Sequence, residues 1–158
     1  MNKVNEILNN DLFKKYIKEL ETLETDREFC KHNMEHSLDV ARIAYIKVLE
    51  ENINISKEVI YAVALLHDIG RVLQYKDGTP HHKGSVIISE EILKDTSFSR
   101  EEKDIIIDAI KEHREELAEN DFQSIIQISD KLSRNCYNCK AYDKCYWDYN
   151  KKNHIIKY

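Results

Sequence analysis

A chain of 158 residues has the size of one ordinary domain, and a 42% hydrophobic share suffices for a core. Its 24 basic and 29 acidic residues leave a formal net charge of −5, which argues against general nucleic-acid binding, since that draws on phosphate neutralisation. Three glycines and one proline disfavour both a turn-rich β protein and disorder. The apolar runs, such as those that hold 63–66 and 105–107, fall far short of the roughly 20 residues that cross a bilayer, so no membrane segment is expected. The polar first ten residues do not read as a signal peptide. The composition predicts a single all-α domain over 1–158 in the cytoplasm, with oligomerisation left open.

Apolar spacing is helical nearly throughout. Ile7, Leu8, Leu12, Tyr16, Leu20 and Leu23 form one stripe through the first segment. Thr25 with Glu28 reads as a capping box opening a second helix through Phe29, Leu38, Ala41, Tyr45 and Val48. Ser56 is placed to cap a third, which runs through Val59, Val63 and Leu66 to a stop at Gly70. The stretch 76–80 is the clearest loop, with Thr79 as cap and Pro80 at the first helical position of a fourth helix reaching about Lys94. Ser99 and Glu102 predict a further capping box before Ile105, Ile106, Ala109 and Ile110, and a last helix spans about 121–133. The tail at 135–158 is cysteine-bearing, aromatic and irregular, and is expected to fold back on the bundle.

The histidines and aspartates are not scattered. His67 and Asp68 end an apolar helix, in Ala62-Val63-Ala64-Leu65-Leu66-His67-Asp68-Ile69-Gly70. Helical neighbours point about 100° apart, so both reach one metal only from a helix end or a distorted turn. An Asp in the last turn also opposes the helix dipole; the plain alternative is an Asp pointing to solvent. His36 lies on the buried side of its helix, with His32 four residues earlier on the same face. Each also reads as an ordinary hydrogen-bonded histidine. His113 closes an isoleucine-rich helix, where the dipole alone would favour it. Asp130 follows Ile125, Ile126 and Ile128 in a short apolar helix, where a carboxylate needs a partner.

The string His36…His67-Asp68…Asp130 resembles the HD superfamily of metal-dependent phosphohydrolases, over about 36–134. His36-Ser37-Leu38-Asp39-Val40-Ala41 is similar to its first-histidine helix, Leu65-Leu66-His67-Asp68-Ile69-Gly70 to its central signature, and Asp130-Lys131 to its final aspartate segment. The resemblance implies an HD-type helical bundle binding a divalent transition metal through His36, His67, Asp68 and Asp130. Such ligands suit Fe, Mn, Co, Ni or Zn without choosing among them. It also implies an optional second ion, held by His113 and by His81 or His82 with Asp68 bridging; His81 is preferred because it lies four residues before Ser85. With one ion, these histidines would bind substrate phosphate instead. The Gly-Tyr-Pro motif of cyclic dinucleotide phosphodiesterases is absent after His113.

Around these ligands, Lys131 is expected to grip a phosphate oxygen, with Arg71, Arg134, His32 and His82 as further substrate contacts; Arg114, beside two glutamates, reads as a surface charge. The expected activity is hydrolysis of a phosphomonoester or phosphodiester on a small metabolite or nucleotide by a metal-activated hydroxide, with Asp68 and Lys131 catalytic. Leaving-group protonation falls to water, His82 or His32. The rivals are a di-iron oxygenase-like enzyme and an HD-fold nucleotide- or redox-sensing module. Cys136, Cys139 and Cys145 form C-x2-C-x5-C, with Cys30 far upstream. In a cytosolic chain a disulfide is disfavoured. The four read as a structural zinc site, an iron–sulfur site or free thiols.

Overall fold

The computed structural model describes residues 1–112 and 121–158. Among these are eight α-helices: α1 (Asn2–Asn9), α2 (Asp11–Leu23), α3 (Met34–Glu50), α4 (Lys57–Leu66), α5 (Arg71–Asp77), α6 (His81–Lys94), α7 (Arg100–Glu112) and α8 (Asp121–Leu132). No strand occurs among the described residues. The all-α reading holds. No helix of the described residues is long and apolar enough to cross a membrane.

α4 is the centre of the bundle because its sequence is apolar nearly all round, and such a helix must be covered on every side. Seven of its ten residues are buried, and α1, α3 and α7 pack against it. α8 lies against α3, and α6 joins α7 to α5. Ile60, Leu66, Ile92, Ile106, Ile110 and Ile126 are fully buried in one apolar cluster, where each side chain contributes about 2 kcal/mol of burial. The Ser56 cap forms, its Oγ accepting from Val59 N at 3.2 Å. So do both arms of the Ser99–Glu102 box, at 3.2 and 2.8 Å.

The first stripe is interrupted at Asn10, whose Oδ1 accepts from Leu12 N and Phe13 N and starts a new helix. The second predicted helix begins eight residues later than the capping box implies. Thr25 Oγ1 donates back to Glu21 O and Glu28 pairs outward with Lys144, so neither caps. Asn33 does, through Oδ1 to His36 N at 3.1 Å. Residues 24–33 stay irregular because the buried Glu24 carboxylate takes both the backbone N–H and the ring of His32. The third helix ends at Leu66 rather than Gly70, and α5 follows where the sequence shows no stripe. Pro80 is itself the α6 cap, while Thr79 N–H donates to Asp77 Oδ1.

A close backbone contact sets the turn at 67–70. A Cβ on Gly70 would stand 2.0 Å from Ser85 N and 2.3 Å from His81 O, and one on Gly84 would stand 2.9 Å from Gly70 O. Two glycines therefore let α6 touch the turn. Ser85 Oγ then fastens it, accepting from Gly70 N at 2.9 Å and donating to His67 O at 2.6 Å. Gly70→Ala must push two backbones apart and is expected to cost about 3 kcal/mol or more, as overpacking does; chemical denaturation of the variant measures it.

Candidate metal centre

The turn after α4 aims His67 and Asp68 at two residues from other helices. His36 comes from the first turn of α3 and Asp130 from the last turns of α8. Donor atoms of His36, His67, Asp68 and Asp130 all lie within 4.8 Å of one another. His67 is fully enclosed and Asp68 is 5% exposed. Asp68 Oδ2 is buried without a hydrogen-bond partner and faces three imidazole Nε2 atoms: His67 at 3.2 Å, His36 at 3.7 Å and His32 at 3.8 Å. An ionised oxygen ringed by aromatic nitrogens, with no donor satisfying it, fits a cation at that point.

The remaining ring nitrogens are held from outside. His67 Nδ1–H donates to Ala64 O at 2.8 Å. Ser133 Oγ donates to Asp130 O at 2.7 Å and so is left to accept from His36 Nδ1–H at 3.1 Å. Both rings thereby present Nε2 inward, the tautomer a metal requires. Burial disfavours the Asp68 and Asp130 anions, but the imidazoles and arginines outweigh it and hold both well below the usual carboxylate range. Arg71 Nε sits 2.9 Å from Asp68 Oδ1. Arg134 Nη2 lies 3.0 Å from His36 Nε2 and 3.4 Å from Asp130 Oδ1.

His32 enters the group from the irregular loop. Burial pushes its pKa down to about 4 against the pull of Glu24 and Asp68, so the ring is neutral at pH 7. Its proton sits on Nδ1, donated to Glu24 Oε1 at 2.6 Å. Burial pushes Glu24 up, yet His32 and Tyr75 hold it at about 2. Tyr75 OH donates to the same oxygen and receives a hydrogen bond from Arg27. This carboxylate–histidine pair is the arrangement that orients metal-ligating imidazoles. Glu24, Ser133 and Tyr75 were outside the sequence reading. Only the dyad of Asp130 and Ser133, one helical turn apart, could have flagged Ser133.

The other expected residues fall into three groups. His81 Nε2 is 3.7 Å from Asp68 Oδ1, whereas His82 is half-buried and turned so that its ring meets that of His81 edge-on. Lys131 does not fit the role expected of it. It is exposed on α8 and forms no ion pair among the described residues, because the next helical position points about 100° away from Asp130. Arg71 and Arg134 face the carboxylates in its place. His113 and Arg114 lie outside the described residues.

Cys30, Cys136, Cys139 and Cys145 are all unbridged and line one cavity of about 290 Å³, which His36, Ser133 and Arg134 also border. Burial raises the Cys30 thiol; Arg134 pulls it down and each of the other three cysteines pushes it up. The tail folds back, as expected: Tyr146 stacks edge-on against Phe29 and Lys144 pairs with Glu28 at 2.6 Å. Ser133→Ala frees the His36 ring while removing little else. It is expected to weaken divalent-metal affinity about 10- to 100-fold, with the helical content unchanged, as calorimetric titration of Mn²⁺ into metal-free protein would show.

The family model for the HD domain matches residues 33–135, the span that contains all four converging residues. An uncharacterized protein of Clostridium beijerinckii is 48% identical over 158 residues, covering the whole of both chains. A CRISPR system single-strand-specific deoxyribonuclease, Cas10/Csm1 of subtype III-A from Methanocaldococcus jannaschii, is 32% identical over 77 residues, which are 44% of this chain but 10% of that protein. No solved structure matches. The chain belongs to the HD domain family, and with it to a group of all-helical, metal-dependent phosphohydrolases.

Proposed function

We propose that the protein hydrolyses a phosphate ester or anhydride on a small soluble metabolite or nucleotide. The observation that carries this reading is the pairing of a two-histidine, two-carboxylate cluster with two guanidiniums on its rim. His36, His67, Asp68 and Asp130 would hold a divalent ion, and His81, whose Nε2 is 3.7 Å from Asp68 Oδ1, would share Asp68 with a second. When bound, such an ion supplies charge to polarise a phosphoryl oxygen and to lower the pKa of attacking water.

The chain's own residues do the rest. Arg71 and Arg134 neutralise the carboxylates in the free protein; as forked donors they suit the non-bridging oxygens of an arriving phosphate, which a lysine would meet only as a point charge. Ser133 and Ala64 O keep the histidine lone pairs pointed at the site. His32, whose one proton is engaged by Glu24, accepts at Nε2 and does not serve as the general acid. Leaving-group protonation then falls to water or His82.

A second reading has one observation in its favour, the similarity of 77 residues to a protein named as a single-strand-specific deoxyribonuclease. The net charge of −5 opposes a long nucleic-acid track but not cleavage of a short single strand. Phosphate release from mononucleotides, diesters and dinucleotides, run beside short single-stranded DNA, separates the two. Under the proposed reading the small substrates turn over and the oligonucleotide does not. Asp68→Ala is expected to abolish hydrolysis and strip the bound ion while the circular dichroism spectrum stays helical. Arg71→Ala and Arg134→Ala each remove a charge-assisted contact of about 2 kcal/mol, and should raise KM about 30-fold in steady-state assays.

A further inference from the structure

We propose that Cys30, Cys136, Cys139 and Cys145 form a separate structural metal site, a four-thiolate centre for Zn²⁺ that fastens the C-terminal tail to the loop before α3. The four cysteines are 106 or more positions apart between Cys30 and the rest, yet all line one cavity. None is bridged to another. Contacts on either side bring the two segments into register: Phe29 with Tyr146, Glu28 with Lys144, and Arg134 Nη1 with Lys31 O at 2.9 Å. These flank Cys30 on one segment and Cys136–Cys145 on the other, so the thiols are the groups left in the middle of the seam.

The local backbone fits this role. Cys136–Asn138 is a 3-10 turn closed by Cys139 N donating to Cys136 O at 3.2 Å, which sets the C-x2-C pair on one side of a tight loop. A second turn, with Tyr142 N donating to Cys139 O, carries the chain round to Cys145. No three of the sulfurs lie within the mutual 4.8 Å that joins the His36 group; zinc bonds of about 2.3 Å would draw them together across the cavity. Four thiolates around a dication carry net negative charge, and Arg134 and Lys152 stand in the same wall. With all four positions filled by sulfur the site has no open coordination position and does no chemistry. It is distinct from the centre at Asp68.

The test uses the full chain purified without chelators. In a His67→Ala/Asp68→Ala variant, which removes the first centre, about one zinc per chain should remain. A thiol-specific mercurial should release it, and adding Cys139→Ser should abolish it and lower the melting temperature. Wild-type protein exchanged with Co²⁺ gives a reading independent of any variant: intense thiolate-to-cobalt charge-transfer absorption is expected. Zinc content unchanged by Cys139→Ser overturns the proposal, as do thiols that react with Ellman's reagent at the rate of free cysteine, or an iron-and-sulfide chromophore in the purified protein. A cobalt spectrum without charge-transfer bands also overturns it.

Discussion

Two carboxylates held a few ångströms apart inside a protein govern much of this structure. Asp68 and Asp130 offer donor atoms within 4.8 Å of one another. At that distance two unit charges repel by about 3 kcal/mol with an effective dielectric of about 20. Neither is relieved by protonation, since both are held below the usual range. Compensating groups must gather there, and they come from four directions: the imidazoles of α3 and of the turn after α4, and the guanidiniums of Arg71 from α5 and of Arg134 from just past α8. The bundle's connectivity is the means by which these groups arrive together.

Positioning falls to residues that never reach the centre. Ser85 ties both ends of the 67–70 turn to α6, and the Gly70–Gly84 contact lets α6 come near enough to do so. Ser133 links the backbone of Asp130 to the ring of His36, joining α8 to α3 at the site. Glu24 holds His32 through two hydrogen bonds. Small hydroxyls and one buried carboxylate thus convert helix packing into fixed ring orientations.

Arg134 lies on the boundary between two regions. Nη2 reaches His36 and Asp130 while Nη1 holds Lys31 O, and the side chain borders the cysteine cavity. The same arginine therefore neutralises the cluster and pins the loop that carries Cys30 and His32. Asn153 Nδ2 donates to the carbonyls of Lys131 and Arg134, so the tail braces the helix end from which Arg134 departs. Order in the tail and geometry at the centre share one side chain.

Sequence by itself determined the helical class and the caps at Ser56 and Ser99, because apolar periodicity and capping patterns are local signals; His36, His67, Asp68 and Asp130 were each ambiguous as single residues, and it was the resemblance to the HD superfamily that grouped them as one ligand set. Sequence alone misplaced the start of α3, since Thr25 and Glu28 look like a cap until Glu24 is seen to be buried on His32. It also favoured Lys131 by adjacency, where the turn of the helix carries that side chain to solvent and brings Arg134, four residues past Asp130, back to the carboxylate. Tertiary structure alone decided that Ser133 faces His36, that His81 rather than His82 approaches Asp68, and that Cys30 shares a cavity with the tail. Each of these depends on contacts between segments far apart in the chain, and such contacts are set by how the helices pack against α4, a property that no single stretch of residues contains.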